Sequence, residues 1–196
     1  LGPASIQITI TENGETHTIV FSGDVGTACR PLLRSPHAPD KADTLIIEST
    51  YGDRPRPKQP KDLELRLAAI IDSTLSGGGN VVIPSFAVGR TQELLYMLRR
   101  IKNQKLTLNN FPVYLDSPLA IEATNIYKET LHEYFDEETN ALLAKGNNPI
   151  GFPGLYLTET SDASKLINAD PTPKVIISAS GMCEAGRIRH HLKHNL

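Results

Sequence analysis

Most of the residues in this chain whose types and spacing could do chemistry fall in three short segments. They read Pro84-Ser85-Phe86-Ala87-Val88-Gly89-Arg90-Thr91, Asp116-Ser117-Pro118, and Ser178-Ala179-Ser180-Gly181-Met182-Cys183-Glu184-Ala185-Gly186-Arg187. Each follows a short apolar run and leads into a helical pattern. Parallel α/β sheets bind ligands in the crevice outside the carboxyl ends of their strands. Helix N-termini there offer free backbone N–H groups and the positive end of a dipole, which suits phosphate. Arg90 adds a guanidinium that can hold a phosphate through two parallel bonds. Any one segment is equally well read as ordinary Ser or Thr capping of a helix. Three of them in one sheet favour a phosphate-bearing ligand.

Two carboxylates stand apart from these loops. Asp24 lies in Ser22-Gly23-Asp24-Val25-Gly26 after a β-rich run. The glycines could expose it to a metal, or it could bond its own backbone in a turn. Glu48 directly follows Leu45-Ile46-Ile47. An acid there could orient a metal-bound histidine, or cap the loop that follows. The last helix holds Arg187, Arg189, His190, His191, Lys193 and His194. His190 and His194 share a face, but the Glu of a His-Glu-x-x-His motif is missing, which argues against a helical zinc pair. A basic helix beside a nucleic-acid groove and simple complementation of the helix dipole are both open. His17, His37 and His132 read as surface or structural residues.

The elements that must position these residues follow from periodicity. Ile6, Ile8 and Ile10 alternate with polar residues, Asn13-Gly14 marks a tight turn, and Thr16–Phe21 returns as the second strand of a hairpin. Residues 27–43 read as irregular, and Thr44–Ile47 as a short buried strand. Pro55, Pro57 and Pro60 break the chain and mark a domain boundary. From Lys61 onward, helices expected over 61–76, 91–101, 120–134, 136–145, 162–167 and 185–194 alternate with strands at Val81–Ile83, Val113–Leu115 and Val175–Ile177. Tyr156–Thr160 is strand or loop. The pattern is α/β: a parallel, Rossmann-like sheet with helices on both faces, preceded by a separate β-rich segment.

Composition narrows the classes. The 196 residues are 39% hydrophobic and 21% charged, an ordinary globular mixture. No run is long enough to span a membrane. Cys29 and Cys183 are the only two cysteines, so no disulfide framework is expected, and a reducing, cytoplasmic setting is the simpler reading. A net charge of −2 excludes a protein that coats nucleic acid by bulk charge.

In combination these segments resemble the metallo-β-lactamase superfamily in its β-CASP branch, the RNA-processing nucleases related to the cleavage and polyadenylation endonuclease. The residues that carry the likeness are Leu1-Gly2-Pro3-Ala4-Ser5, Phe21 through Gly26, Ile46-Ile47-Glu48-Ser49-Thr50-Tyr51-Gly52-Asp53-Arg54, Ile83 through Leu94, Tyr114 through Ala120, and Ile177 through Ile188. The resemblance implies a partial metallo-β-lactamase domain over 1–52, the β-rich edge of its αββα fold, then a β-CASP domain over 53–196. It implies a zinc-dependent hydrolase of RNA phosphodiesters, an endonuclease with a possible 5′ exonuclease activity. Two zinc ions would act in the intact parent, which could be a homodimer.

On this likeness Asp24 is the aspartate that bridges the two zincs, and Glu48 is the motif A acid behind a histidine ligand. Ser85, Arg90, Ser117, Ser178 and Gly181 would contact the RNA backbone. The His-x-His-x-Asp-His motif is absent, and one carboxylate cannot hold a zinc pair. The chain is therefore expected to be a fragment that binds no stoichiometric zinc and is inactive alone. The rival expectation is a non-catalytic RNA-binding or scaffold subunit, and a third is a plain nucleotide-binding domain.

Overall fold

The computed structural model describes residues 4–26, 30–55, 60, 62–130 and 132–196. Leu1, Gly2, Pro3, Cys29, Pro57 and Lys61 lie outside the described residues, as does the His132 side chain. The chain falls into two compact units, Leu1–Gln59 and Pro60–Leu196.

The first unit is a small mixed sheet. Strands β1 (Ile6–Glu12) and β2 (Glu15–Phe21) form the expected antiparallel hairpin around Asn13-Gly14. Both turn residues take positive φ, 53° and 84°, the conformation that makes Asn-Gly a hairpin turn. β3 (Thr44–Ile46) adds in parallel to β2. This strand was expected to be buried, and it is not: Leu45, Ile46 and Ile47 are each at least half exposed. Among the described residues of this unit only Val20 and Leu32 are buried hydrophobics. Among the described residues the unit contributes no helix to cover the sheet, so its alternating isoleucines face outward.

Among its described residues the second unit holds a four-stranded, all-parallel sheet and six α-helices. In chain order these are α1 (Leu63–Ser76), β4 (Val81–Pro84), α2 (Arg90–Asn103), β5 (Val113–Asp116), α3 (Pro118–Thr130), α4 (Glu137–Ala144), β6 (Leu155–Leu157), α5 (Ser161–Ala169), β7 (Val175–Ser178) and α6 (Ile188–Asn195). The strand order is β4-β7-β5-β6. Successive side chains of a strand point to opposite faces, so burial of all four residues of β7 means that both faces of the sheet are covered there.

The connections explain how. β4→α2→β5 and β5→α3→β6 run toward one edge, whereas β6→α5→β7→α6 runs back. Right-handed crossovers then place α2 and α3 on one face and α5 and α6 on the other. Side chains agree. The buried Gln92 of α2 donates to Thr124 Oγ1 of α3 at 3.0 Å, and His191 of α6 meets Asn168 of α5 at 2.8 Å.

Helix ends follow local chemistry. Asp136 and Thr160 accept from the backbone of Thr139 and Ala163 as N-caps of α4 and α5. α6 begins at Ile188 rather than near 185, because the chain from Ala179 to Arg187 closes on itself first. Ser180 N–H donates to Ala185 O at 3.2 Å and Ile188 N–H to Ala179 O at 3.2 Å. Gly186 has φ +80°, and a Cβ there would lie 2.5 Å from the Ala179 carbonyl oxygen, so this loop requires glycine.

Candidate functional site at the carboxyl edge of the parallel sheet

Three strands of the second unit end in register. Pro84 pairs with Ser178, and Ser178 with Asp116. The three chemistry-bearing loops therefore leave the sheet side by side. Chain direction diverges between β5 and β7: α3 departs toward β6, while α6 packs against β4. That is a topological switch point, where an open α/β sheet forms its ligand crevice. A crevice of about 430 Å³ is found there, lined by the start of α3 and by the Ala179–Arg187 loop.

The floor of the crevice is Asp116. Its carboxylate is fully buried and accepts from three side chains, one on α5, one on α6 and one in the loop before α6. Arg187 Nη1 donates to Oδ1 at 2.7 Å; Ser164 Oγ and His191 Nε2 both reach Oδ2, at 2.5 and 2.7 Å. Its backbone oxygen accepts from Ser178 Oγ at 2.9 Å. Burial pushes this carboxyl up, but the bonds from His191, Ser164 and Arg187 outweigh it and hold Asp116 below the ordinary range. Arg187 also donates to the carbonyls of Thr158 and Glu159, at 3.0 and 2.7 Å, tying the β6 end to the same cluster. His191 is fully buried with both ring nitrogens engaged, Nε2 by Asp116 and Nδ1 by Asn168. An ionised carboxylate only accepts, so Nε2 carries a proton in this contact.

The expected contact residues take distinct places around this network. Ser117 Oγ accepts from Ala120 N–H at 3.3 Å, capping α3 with Pro118 in the first turn, and Ser117 lines the crevice. Ser178 is buried, with its hydroxyl engaged by Asp116. Ser85 is buried as well: its hydroxyl donates toward Phe86 O at 3.3 Å and accepts from Thr91 Oγ1 at 3.0 Å. Arg90 opens α2 half-exposed, with Nη1 on Glu93 Oε2 at 2.8 Å. Gly181 lies under the Phe86 ring. The structure thus groups all five at one sheet edge, with Ser85 and Ser178 turned into the framework.

Asp24 and Glu48 belong to the first unit and lie near each other in it. Glu48 Oε1 accepts from Val25 N–H at 2.9 Å and Oε2 from Thr50 Oγ1 at 2.7 Å, while Glu48 N–H donates to Ser22 Oγ at 3.1 Å. Glu48 therefore pins the loop that presents the exposed Asp24. No group of three or more His, Cys, Asp or Glu side chains able to hold a metal occurs among the described residues. Asp24 is a single donor and both Glu48 oxygens are engaged, so these residues do not by themselves fit a zinc pair.

Sequence reasoning did not single out Asp116 as an anchor or His191 and Arg187 as its partners. A signal was present: Ile188, His191 and Leu192 fall at i, i+3 and i+4, which puts His191 on the apolar face of α6. No described helix is long and apolar enough to cross a membrane.

A parallel α/β domain with a crevice at the carboxyl edge of its sheet is the class that the fold defines, and comparison with known proteins makes it specific. The Beta-Casp domain family matches residues 91–196, and the chain belongs to that family. It is 42% identical over 187 residues to ribonuclease TTHA0252 of Thermus thermophilus, covering 95% of this chain and 42% of that protein. It is 34% identical over 197 residues to an RNase J-like protein of Methanocaldococcus jannaschii, covering 98% and 43%. To endoribonuclease ysh1 of Schizosaccharomyces pombe it is 35% identical over 170 residues, covering 86% and 21%. The chain thus spans less than half the length of these relatives.

Proposed function

We propose that this chain is part of a longer zinc-dependent β-CASP ribonuclease and supplies the wall that positions RNA. The observation that carries this reading is the register of Pro84, Ser178 and Asp116, which sets three loops and the starts of α2 and α3 along one edge. Such an edge offers backbone N–H groups, the Arg90 guanidinium and helix dipole ends to a phosphodiester. The Asp116 network keeps that edge rigid, and rigid placement of a substrate is a large part of catalysis. When bound in the complete enzyme, zinc would supply the activated water. Asp24 would be one of its ligands and Glu48 would support a histidine ligand, the remaining donors coming from residues other than those described here. The three-loop edge argues for RNA contact in this chain whether or not it cleaves.

The test is a paired assay on the 196-residue chain. A labelled single-stranded RNA is incubated with and without added Zn²⁺, and binding and cleavage are both followed. Binding without cleavage, and less than one zinc retained per chain, agrees with the reading. Robust metal-dependent cleavage contradicts the assignment of the chemistry to other residues. Absence of RNA binding contradicts the wall.

A further inference from the structure

The same three loops expose more apolar side chain than phosphate binding needs. Phe86 is 57% exposed, Val88 47%, Leu119 61% and Met182 65%. Exposed large apolar groups gathered beside a groove and rimmed by polar residues mark a contact surface. The position of Phe86 is set by its neighbour. A Cβ at Gly181 would lie 3.0 Å from both Cδ2 and Cε2 of the Phe86 ring and 3.1 Å from its backbone nitrogen. Glycine at 181 therefore lets the ring rest on the backbone of the β7 loop. The ring is supported on that side and open to solvent on others, which is the arrangement of a stacking platform.

We infer that Phe86 stacks on a nucleobase of single-stranded RNA, with Gly181 holding the ring in place. The inference rests on the ribonuclease reading above and adds a base contact to its phosphate contacts. Single-stranded RNA is held by aromatic side chains that stack on bases and by cations that track the backbone. Both kinds of group occur here within five residues, as Phe86 and the half-exposed Arg90. Among the described residues no exposed carboxylate lines the crevice to repel a polyanion. The one carboxylate in the crevice lining is Asp116, which is fully buried and already bonded, whereas Arg187 lines the same crevice. A protein partner for the apolar rim is the competing occupant, and the test separates the two.

The full chain contains no tryptophan, so Phe86→Trp installs a single fluorescent reporter at the platform. Oligoadenylate is expected to quench it, and an abasic strand of the same length is expected to leave it nearly unchanged. Phe86→Leu, which keeps apolar bulk and removes the aromatic face, is expected to weaken oligoadenylate binding by roughly five- to a hundredfold. Phe86→Tyr is expected to bind like the unsubstituted chain. Salt dependence gives a readout that misfolding would not imitate: Phe86→Leu keeps the slope of log K against log[salt], while Arg90→Ala lowers it by about 0.7. Unchanged affinity in Phe86→Leu, or equal quenching by the abasic strand, overturns the platform while RNA binding itself stands. A rim that takes a protein partner gives that same unchanged affinity. Failure of the unsubstituted chain to bind RNA overturns both the wall and the platform.

Discussion

β3 and β7 are short strands of similar apolar character with opposite fates. All three residues of β3 are exposed, whereas all four residues of β7 are buried. Around β3 the polar side chains hold one another at the surface: Glu48 is tied to a backbone N–H and a threonine hydroxyl. Around β7 and β5 the polar side chains are locked inside, with Asp116, Ser178 and His191 at 0–1% exposure. The contrast teaches where this chain has a self-supporting site. In the second unit a buried network fixes the loops at the sheet edge. In the first unit the acids are placed by exposed hydrogen bonds between the Ser22–Val25 and Glu48–Thr50 segments.

Mutations should reproduce that contrast. The largest effect is expected from Asp116→Ala, which leaves the Arg187 charge and the donors of His191 and Ser164 without their acceptor. Removing one member of such a buried pair costs about 3–5 kcal/mol, to be read as a fall in the urea midpoint of the second unit. The same carboxylate predicts an acid transition. Its folded pKa is depressed below its ordinary 3.8, so its stabilisation is complete above 3.8 and is lost as pH falls through the lower folded value. Asp116→Asn should flatten that part of the stability–pH curve. A curve identical to the unsubstituted chain's would break the link between Asp116 and the fold.

The next effect in size is Gly186→Ala. Its positive φ and the Ala179 carbonyl at 2.5 Å from a new Cβ predict a cost of roughly 1–3 kcal/mol. Because that loop lines the crevice, RNA affinity should fall with stability, and a binding titration beside the melt would show whether the two move together. Glu48→Gln is expected to be the mildest, at about 1 kcal/mol or less, since its partners are exposed and water can replace it. A larger loss for Glu48→Gln than for Asp116→Ala would reverse the comparison.

Much of this architecture is legible in the sequence. The runs at 81–83, 113–115 and 175–177 are legible as strands of a parallel sheet, and Asn13-Gly14 specifies its hairpin. That the segments at 84–91, 116–118 and 178–187 follow strand ends and lie side by side is readable from the strand–loop–helix pattern. What stays hidden is the direction of side chains within those loops. Ser178 and Ser85 look like ligand contacts in one dimension, yet strand register turns Ser178 toward the Asp116 carbonyl and the Thr91 hydroxyl of the first turn of α2 engages Ser85. His191 is hidden among basic neighbours, because only the helical period, not the residue type, separates it from His190 and His194. The exposure of β3 is equally unreadable, since an apolar triplet gives no sign of whether a covering layer is present.

The central claim is that RNA lies along the edge where β4, β5 and β7 end. Photocrosslinking tests it most directly: an RNA carrying 4-thiouridine is irradiated on the chain, and the attached peptides are mapped. Crosslinks confined to residues 84–91, 116–119 and 178–187 are the predicted result. Crosslinks at the opposite edge of the sheet, around 79–81, 111–113 and 173–175, would contradict it.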